Sequence, residues 1–317
     1  MSAATDILIL LFAAIVVLTL ATALSQYLKL RFSPDGMNTV IETFNTRVMA
    51  WWGMVAALAL AFLAGRTGVV LLFAFCSFAA LREFLTLTTK LRADHWALVA
   101  AFYVVLPVQY WLVWSNWYGF YAVFIPVYVF LLLPMLAAMR GDTSRFLFRI
   151  AETQWALMVS IYCVSHVPAL MMLQLPDFAG KNVLLMLFLV IVSQIAELLN
   201  VLISRYAGKH KISPNLPATR TWEGLIGTAI AAFILGAALF WITPFSPLQA
   251  GVMGTLIALM GYGGGLVMAA IKRDRDIKDW GHLIAGHGGF LDRLETIAFA
   301  APIFFHLTRY YFDTSPI

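Results

Sequence analysis

Charge is scarce in this 317-residue chain: Asp, Glu, Lys and Arg together make up 12% of it, roughly half the share of an ordinary soluble domain. With 62% of its residues hydrophobic, the chain cannot clothe a water-facing surface, which excludes a soluble globule. Cysteine is scarce too. Cys76 and Cys163 both lie in apolar runs, so neither a disulfide framework nor a cysteine metal site is indicated, and both read as small buried hydrophobes. No Lys or Arg precedes Lys29, so the first apolar run lacks the basic lead of a cleaved signal peptide and is expected to remain as a helix. Internal repeats, low-complexity tracts and linkers long enough to separate a soluble domain are missing as well.

The apolar residues fall instead in runs of about 20, the length that crosses hydrocarbon as a helix. The expected fold is an all-α, polytopic integral membrane bundle of about ten transmembrane helices, near 5–26, 48–65, 67–82, 95–114, 118–138, 153–173, 182–204, 221–242, 247–271 and 293–311. Only the short Gly65-Arg66-Thr67-Gly68 stretch parts the second from the third, so a tight hairpin and a re-entrant pair are both open there.

Basic residues set the orientation, because short cytoplasmic loops retain Lys and Arg. Of the 21 Lys and Arg residues, 18 fall in the odd-numbered connections, leaving Arg66, Lys181 and Arg309 for the other face. Both termini are therefore expected outside, with the odd connections in the cytoplasm and the chain multi-pass in the cell membrane. The net charge of +5 is accounted for by this asymmetry, and no nucleic-acid partner is needed. Residues 1–180 form an N-terminal transmembrane region with little chemistry. Residues 181–317 form a C-terminal transmembrane region whose loops carry the candidate catalytic groups.

Two cytoplasmic segments hold more than topology requires. In the seventh connection, Lys209, Lys211 and Arg220 flank a helix start at Thr221, a plausible N-cap with Glu223 in the first turn. Such a helix end between cations can bind phosphate oxygens, although ordinary capping and positive-inside residues explain much of it. The ninth connection packs five cations, five acids and two histidines into residues 270–295. A solvated charge run has no use for Gly286-His287-Gly288-Gly289, whose glycines allow unusual backbone angles and close approach to a ligand. With Asp279, Asp292 and Glu295 nearby, the stretch suggests a divalent cation held between carboxylates and polyphosphate oxygens. Glu197 is the one acid well inside an expected span, with Gln194 and Asn200 on its face. An ionisable group at that depth marks a functional site by default, with a polar contact between helices as the alternative. The glycine-dense run at Gly261, Gly263, Gly264 and Gly265 allows either close helix packing or an unwound segment lining a cavity.

Lys272-Arg273, Lys278-Asp279 and Gly286-His287-Gly288-Gly289-Phe290-Leu291-Asp292-Arg293 together resemble the signature of the phosphatidate cytidylyltransferase (CDP-diacylglycerol synthase) family. Gly208-Lys209-His210-Lys211 and Arg220-Thr221-Trp222-Glu223-Gly224 resemble a second family pattern, and the likeness covers about residues 190–311. The resemblance implies a nucleotidyltransferase of phospholipid synthesis, CTP and phosphatidate or a related lipid phosphate as substrates, and Mg²⁺ as cofactor. It also implies roles for residues. Lys272, Arg273, Lys278, Asp279, His287, Asp292 and Arg293 would serve catalysis; Lys209, Lys211, Arg220, Thr221, Gly288 and Gly289 would bind substrate; and Asp292, Glu295, Asp279 and Glu197 would hold the metal. The chain departs from the pattern at Gly265, Met268, Ala269, Ala285, Glu295 and Pro217-Ala218. Since Gly265 stands where the resemblance implies an acidic metal ligand, the implied metal site is incomplete unless Glu197, Glu295 or Asp279 compensates. A transferase for another lipid phosphate, a non-catalytic relative and a transporter stay open as alternatives, as does a homo-oligomer.

Overall fold

The computed structural model describes residues 3–32, 39–88, 94–213, 220–286 and 288–314. His287, the Pro217-Ala218 pair, and Lys90 and Arg92, which belong to the basic residues counted in the odd connections, lie outside them. Ten helical rods follow one another along the described residues: α1 Ala3–Phe32, α2 Thr39–Leu63, α3 Gly65–Thr86, α4 His95–Trp114, α5 Tyr118–Ala138, α6 Phe146–Met172, α7 Asn182–Ala207, α8 Trp222–Ala238, α9 Pro247–Asp274 and α10 Phe290–Phe312. The protein is an all-α, polytopic membrane bundle, with eight helices among the described residues long and apolar enough to cross a bilayer. The other two differ for separate reasons. Helix α8 is apolar but has 17 residues, about 25 Å at 1.5 Å per residue, and α10 carries Asp292, Arg293, Glu295, His306 and Arg309 among its 23.

Local chemistry fixes the breaks. Gly65 at φ 65° turns the chain between α2 and α3, which are separate helices of 25 and 22 residues, each long and apolar enough to cross a bilayer. Ser246 caps α9 in a reciprocal capping box with Gln249, with Pro247 in the first turn. Thr221 caps α8, its hydroxyl oxygen accepting from Gly224 N at 3.0 Å. Helices α4, α5 and α6 each contain a π-helical stretch, Ala101–Val105, Phe124–Val129 and Met158–Cys163. Prolines 107, 126 and 168 lie in or just after these stretches, where a missing N–H disturbs the ordinary ladder.

Helices α7 to α10 pack against one another in a tight group, with α8 on α9, α9 on α10 and α7 on α8 the main contacts. Glycine makes the closeness possible. A Cβ on Gly254 would meet the Ala232 carbonyl at 2.5 Å, and one on Gly251 would lie 2.8 Å from the Phe233 ring, so α8 and α9 approach nearly backbone to backbone. Helix α9 runs unbroken through Gly261, Gly263, Gly264 and Gly265. Gly261 faces Thr296, and Gly264 faces Phe299 and the Glu295 carbonyl, so of the two readings of this run the structure takes close packing over an unwound segment. Helices α3 and α6 lie along α10. By contrast, α1 packs mainly on α2, through Lys29–Glu42, Ser25–Asn45 and Thr22–Trp52 contacts, and α2 in turn packs on α3; only 6% and 11% of the apolar spans of α1 and α2 are buried.

Candidate active site

The polar site lies where the seventh and ninth connections meet the ends of α7, α8, α9 and α10. Lys272, in the last turn of α9, puts its ammonium 2.6 Å from Asp292 Oδ1 and 3.0 Å from Glu295 Oε2. The two acids stand one turn apart in the first turns of α10, so their carboxylates lie on one face. The second oxygen of Asp292 accepts from Trp280 N at 2.9 Å and Gly289 N at 2.8 Å. The Gly289 bond is the return half of a capping box, a carboxylate reaching back to the amide before its helix. Asp292 is 8% exposed, so an unpaired charge there would be costly; two amides and one ammonium satisfy it.

The loop between α9 and α10 needs its glycines. Gly286 and Gly288 adopt φ of 71° and 83°, a region that favours glycine, and Ile284 N bonds back to Gly288 O at 2.9 Å. At Gly288 a Cβ would lie 2.6 Å from Asp292 Oδ2 and 3.3 Å from Asp279 Cβ, so Gly288 packs between these two residues, with Asp279 itself exposed.

Arg220 forms the second half of the site. Its backbone carbonyl accepts from Ile212 N at 3.1 Å, and its side chain is nearly buried at 6% exposure. The guanidinium reaches Glu197 Oε1 at 3.2 Å and lies 5.2 Å from the centre of the Tyr262 ring. The Tyr262 hydroxyl donates to Thr221 O at 3.0 Å. A Cβ on Gly265 would lie 2.7 Å from Arg220 Cζ, so this guanidinium fills the space that a side chain at position 265 would take. Glu197 therefore serves first as the partner of a buried cation, with its own side chain 29% exposed.

The structure thus brings Lys272, Asp292, Glu295, Asp279, Gly288 and Gly289 together, with Glu197, Arg220 and Thr221 in a second cluster. Lys209, Lys211, Arg273 and Lys278 are exposed, and none of them makes an ion pair with a described residue. The Lys209 and His210 backbone amides bond to the Glu223 carboxylate, and His210 Nδ1 lies 2.5 Å from it. Arg293 is half-buried, and its Nε is buried without a hydrogen-bond partner among the described residues. Among the described residues no three His, Cys, Asp or Glu side chains converge as a metal-binding group. Asp292 and Glu295 do supply hard oxygen donors of the kind that Mg²⁺ takes, and they already hold one positive charge between them.

Three residues outside the expected site also reach it. Glu83 of α3 accepts from Phe290 N and Leu291 N at 3.0 and 2.9 Å, Arg47 of α2 donates to Gly286 O at 2.9 Å, and Glu152 of α6 pairs with Arg275. All three lie in the stretch that offered composition and little chemistry. The nearest local signal is an acid at the end of an apolar run, as at Glu83.

Fold and site together define a polytopic helical membrane protein with a charge-dense cluster at one end of its last four helices. The chain belongs to the cytidylyltransferase family, whose model matches residues 45–311. It is 34% identical over 297 residues to the uncharacterized protein YnbB of Escherichia coli (strain K12), covering 92% of this chain and 95% of that one. It is also 33% identical to the phosphatidate cytidylyltransferases of Rickettsia typhi over 109 residues and of Staphylococcus aureus (strain COL) over 104. Each of these matches takes in 32% of this chain, and they span 47% and 40% of the respective relatives.

Proposed function

We propose that the protein transfers a cytidylyl group from CTP to phosphatidate, giving CDP-diacylglycerol and pyrophosphate. A phosphate oxygen of the lipid forms a bond to the α-phosphorus of CTP, and the bond from that phosphorus to the bridging oxygen of the β-phosphate breaks. A phosphate monoester with a second pKa near 6 is mostly dianionic at neutral pH, so the attack needs no general base. The work left to the protein is to bring two polyanions together and hold them in line. The observation that carries the reading is Lys272 held between Asp292 and Glu295, a nearly buried charge cluster inside the signature stretch.

In this reading Lys272, Arg273, Lys278 and Arg293 neutralise the triphosphate, while Lys209, Lys211 and Arg220 face the lipid headgroup or the triphosphate. Asp292 and Glu295, with Asp279 and Glu197 at their edge, are the residues that would hold Mg²⁺, which when bound supplies charge neutralisation at the polyphosphate. Lipid tails enter sideways from the bilayer. The loops that carry the site face the cytoplasm, where CTP is found, and both termini lie outside.

One observation favours a second reading within the same chemistry. Arg220 fills the space beside Gly265, adding a fixed positive charge where the resemblance implies an acid, and this favours a different lipid phosphate as acceptor. Purified protein incubated with radiolabelled CTP and a panel of lipid phosphates tests both. A CDP-lipid from phosphatidate supports the first, a CDP-lipid only from another phosphate supports the second, and the absence of any CDP-lipid defeats both.

A further inference from the structure

We infer that Glu83 is a positioning residue for the transfer, gripping the signature loop from outside the last four helices so that Asp292 is held in register; this rests on the function proposed above. Glu83 is 5% exposed and lies 207 residues from Phe290 in sequence. One carboxylate oxygen accepts from Phe290 N at 3.0 Å and the other from Leu291 N at 2.9 Å. These are the first two amides of α10, which have no partner inside the helix, and the positive end of the helix favours a carboxylate there.

The loop is shaped to receive that carboxylate. A Cβ on Gly281 would lie 2.7 Å from Glu83 Oε1, and one on Gly289 would lie 2.6 Å from Glu83 Cδ. Any larger residue at either position would push the acid out. The next residue of α3, Phe84, stacks on Trp280 with ring centres 5.0 Å apart. Trp280 and Gly289 are the two residues whose amides bond to Asp292 Oδ2. One turn of α3 therefore holds both residues that orient Asp292. The arrangement also places an acid on the anion-attracting end of α10, so substrate phosphate is left to Lys272, Arg220 and the exposed cations. Arg47 on Gly286 O and Glu152 on Arg275 add two further grips from the first six helices.

The test compares the purified full chain with Glu83→Gln and Glu83→Asp by hydrogen–deuterium exchange and by CDP-lipid formation. Glu83→Gln turns an amide NH₂ toward two N–H donors, whereas Glu83→Asp keeps both acceptors on a shorter arm. In Glu83→Gln, exchange at Gly289, Phe290 and Leu291 should quicken by about tenfold, with α7 protection unchanged. The same variant should lose about tenfold in kcat with KM for CTP within about twofold, and Glu83→Asp should recover part of both. Wild-type exchange at those amides, or wild-type kcat, in Glu83→Gln would overturn the inference. Loss of protection spreading through α7 would overturn it too, because the role would then be general stability. If the wild-type protein forms no CDP-lipid, the proposed function fails by itself, and the exchange measurement still decides whether Glu83 holds the loop.

Discussion

Lys272 Nζ lies 2.6 Å from Asp292 Oδ1, so one ammonium, which also reaches Glu295, joins the last turn of α9 to the first turns of α10. The pair is nearly buried, with 15% and 4% of the two side chains exposed. Removing one partner of such a pair leaves a charge stranded, which typically costs about 3–5 kcal/mol. Lys272→Met should therefore lower the thermal stability of the purified protein and abolish CDP-lipid formation, while Lys272→Arg should keep most of the stability. Unchanged stability in Lys272→Met would mean that the two acids have another partner.

Asp292→Asn keeps the shape of the side chain and removes its charge. One oxygen must still face two amide donors, which turns the new NH₂ toward Lys272, so both cation binding and the lysine contact suffer. CDP-lipid formation should fall on the order of a hundredfold, comparable to about 3 kcal/mol of transition-state stabilisation. Added Mg²⁺ should restore part of the loss, and Asp292→Glu should sit between the two. An Asn variant as active as wild type would remove Asp292 from the mechanism.

Glu197→Gln leaves Arg220 a hydrogen-bond acceptor and takes away its counter-ion. An unpaired guanidinium is then free to turn, and activity should fall by about tenfold or more with expression and insertion intact. Activity equal to wild type over a Mg²⁺ titration would reduce Glu197 to a contact between helices.

Gly265→Ala tests whether Arg220 and Gly265 share one space. A methyl there meets the guanidinium at van der Waals overlap, and overpacking of this kind costs about 1–3 kcal/mol. Thermal unfolding should show that loss in Gly265→Ala and its partial recovery in the double variant with Arg220→Lys, whose slimmer head can withdraw. Additive losses in the double variant would show that the two positions are independent.

The topology rests on charge counting and can be checked without any assay of activity. A reporter fused after Lys278 should read cytoplasmic, and one fused after Lys181 should read external. The opposite result at Lys278 would put the loop where CTP is absent.

Eight of the ten helical rods were legible as spans because each is a long apolar run of its own, and hydrocarbon demands nothing more elaborate of a helix than length and the absence of charge; α8 is shorter and α10 more charged than that rule allows. The Thr221 cap and the glycine loop were legible for the same reason: their signals are local, whereas Lys272 was expected on phosphates and Asp292 and Glu295 on a metal, with no pairing between them. The unwound segment allowed at Gly261–Gly265 does not exist, since glycines that admit a neighbouring helix and glycines that break one look alike in sequence. The placing of Arg220 against Gly265, and of Arg47, Glu83 and Glu152 on the signature loop, was not legible at all. Those contacts join residues far apart in the chain, and nothing in the sequence near Glu83 says which helix end it will meet.

Helix α1 turns most of its apolar surface away from the rest of the protein and is tied down at a few points, with Asp6 near Lys181 at one end and Lys29 near Glu42 at the other. A helix in that position answers to its solvent rather than to its neighbours. Leu, Ile, Val and Phe are interchangeable over most of its length, because no jigsaw of side chains is disturbed when one replaces another. A charged residue at mid-span meets hydrocarbon directly, at about 2.5–3.5 kcal/mol on insertion scales. Natural variants of this protein should therefore drift freely along α1 in identity while staying uniform in polarity, the reverse of what the crowded glycine faces of α8 and α9 permit.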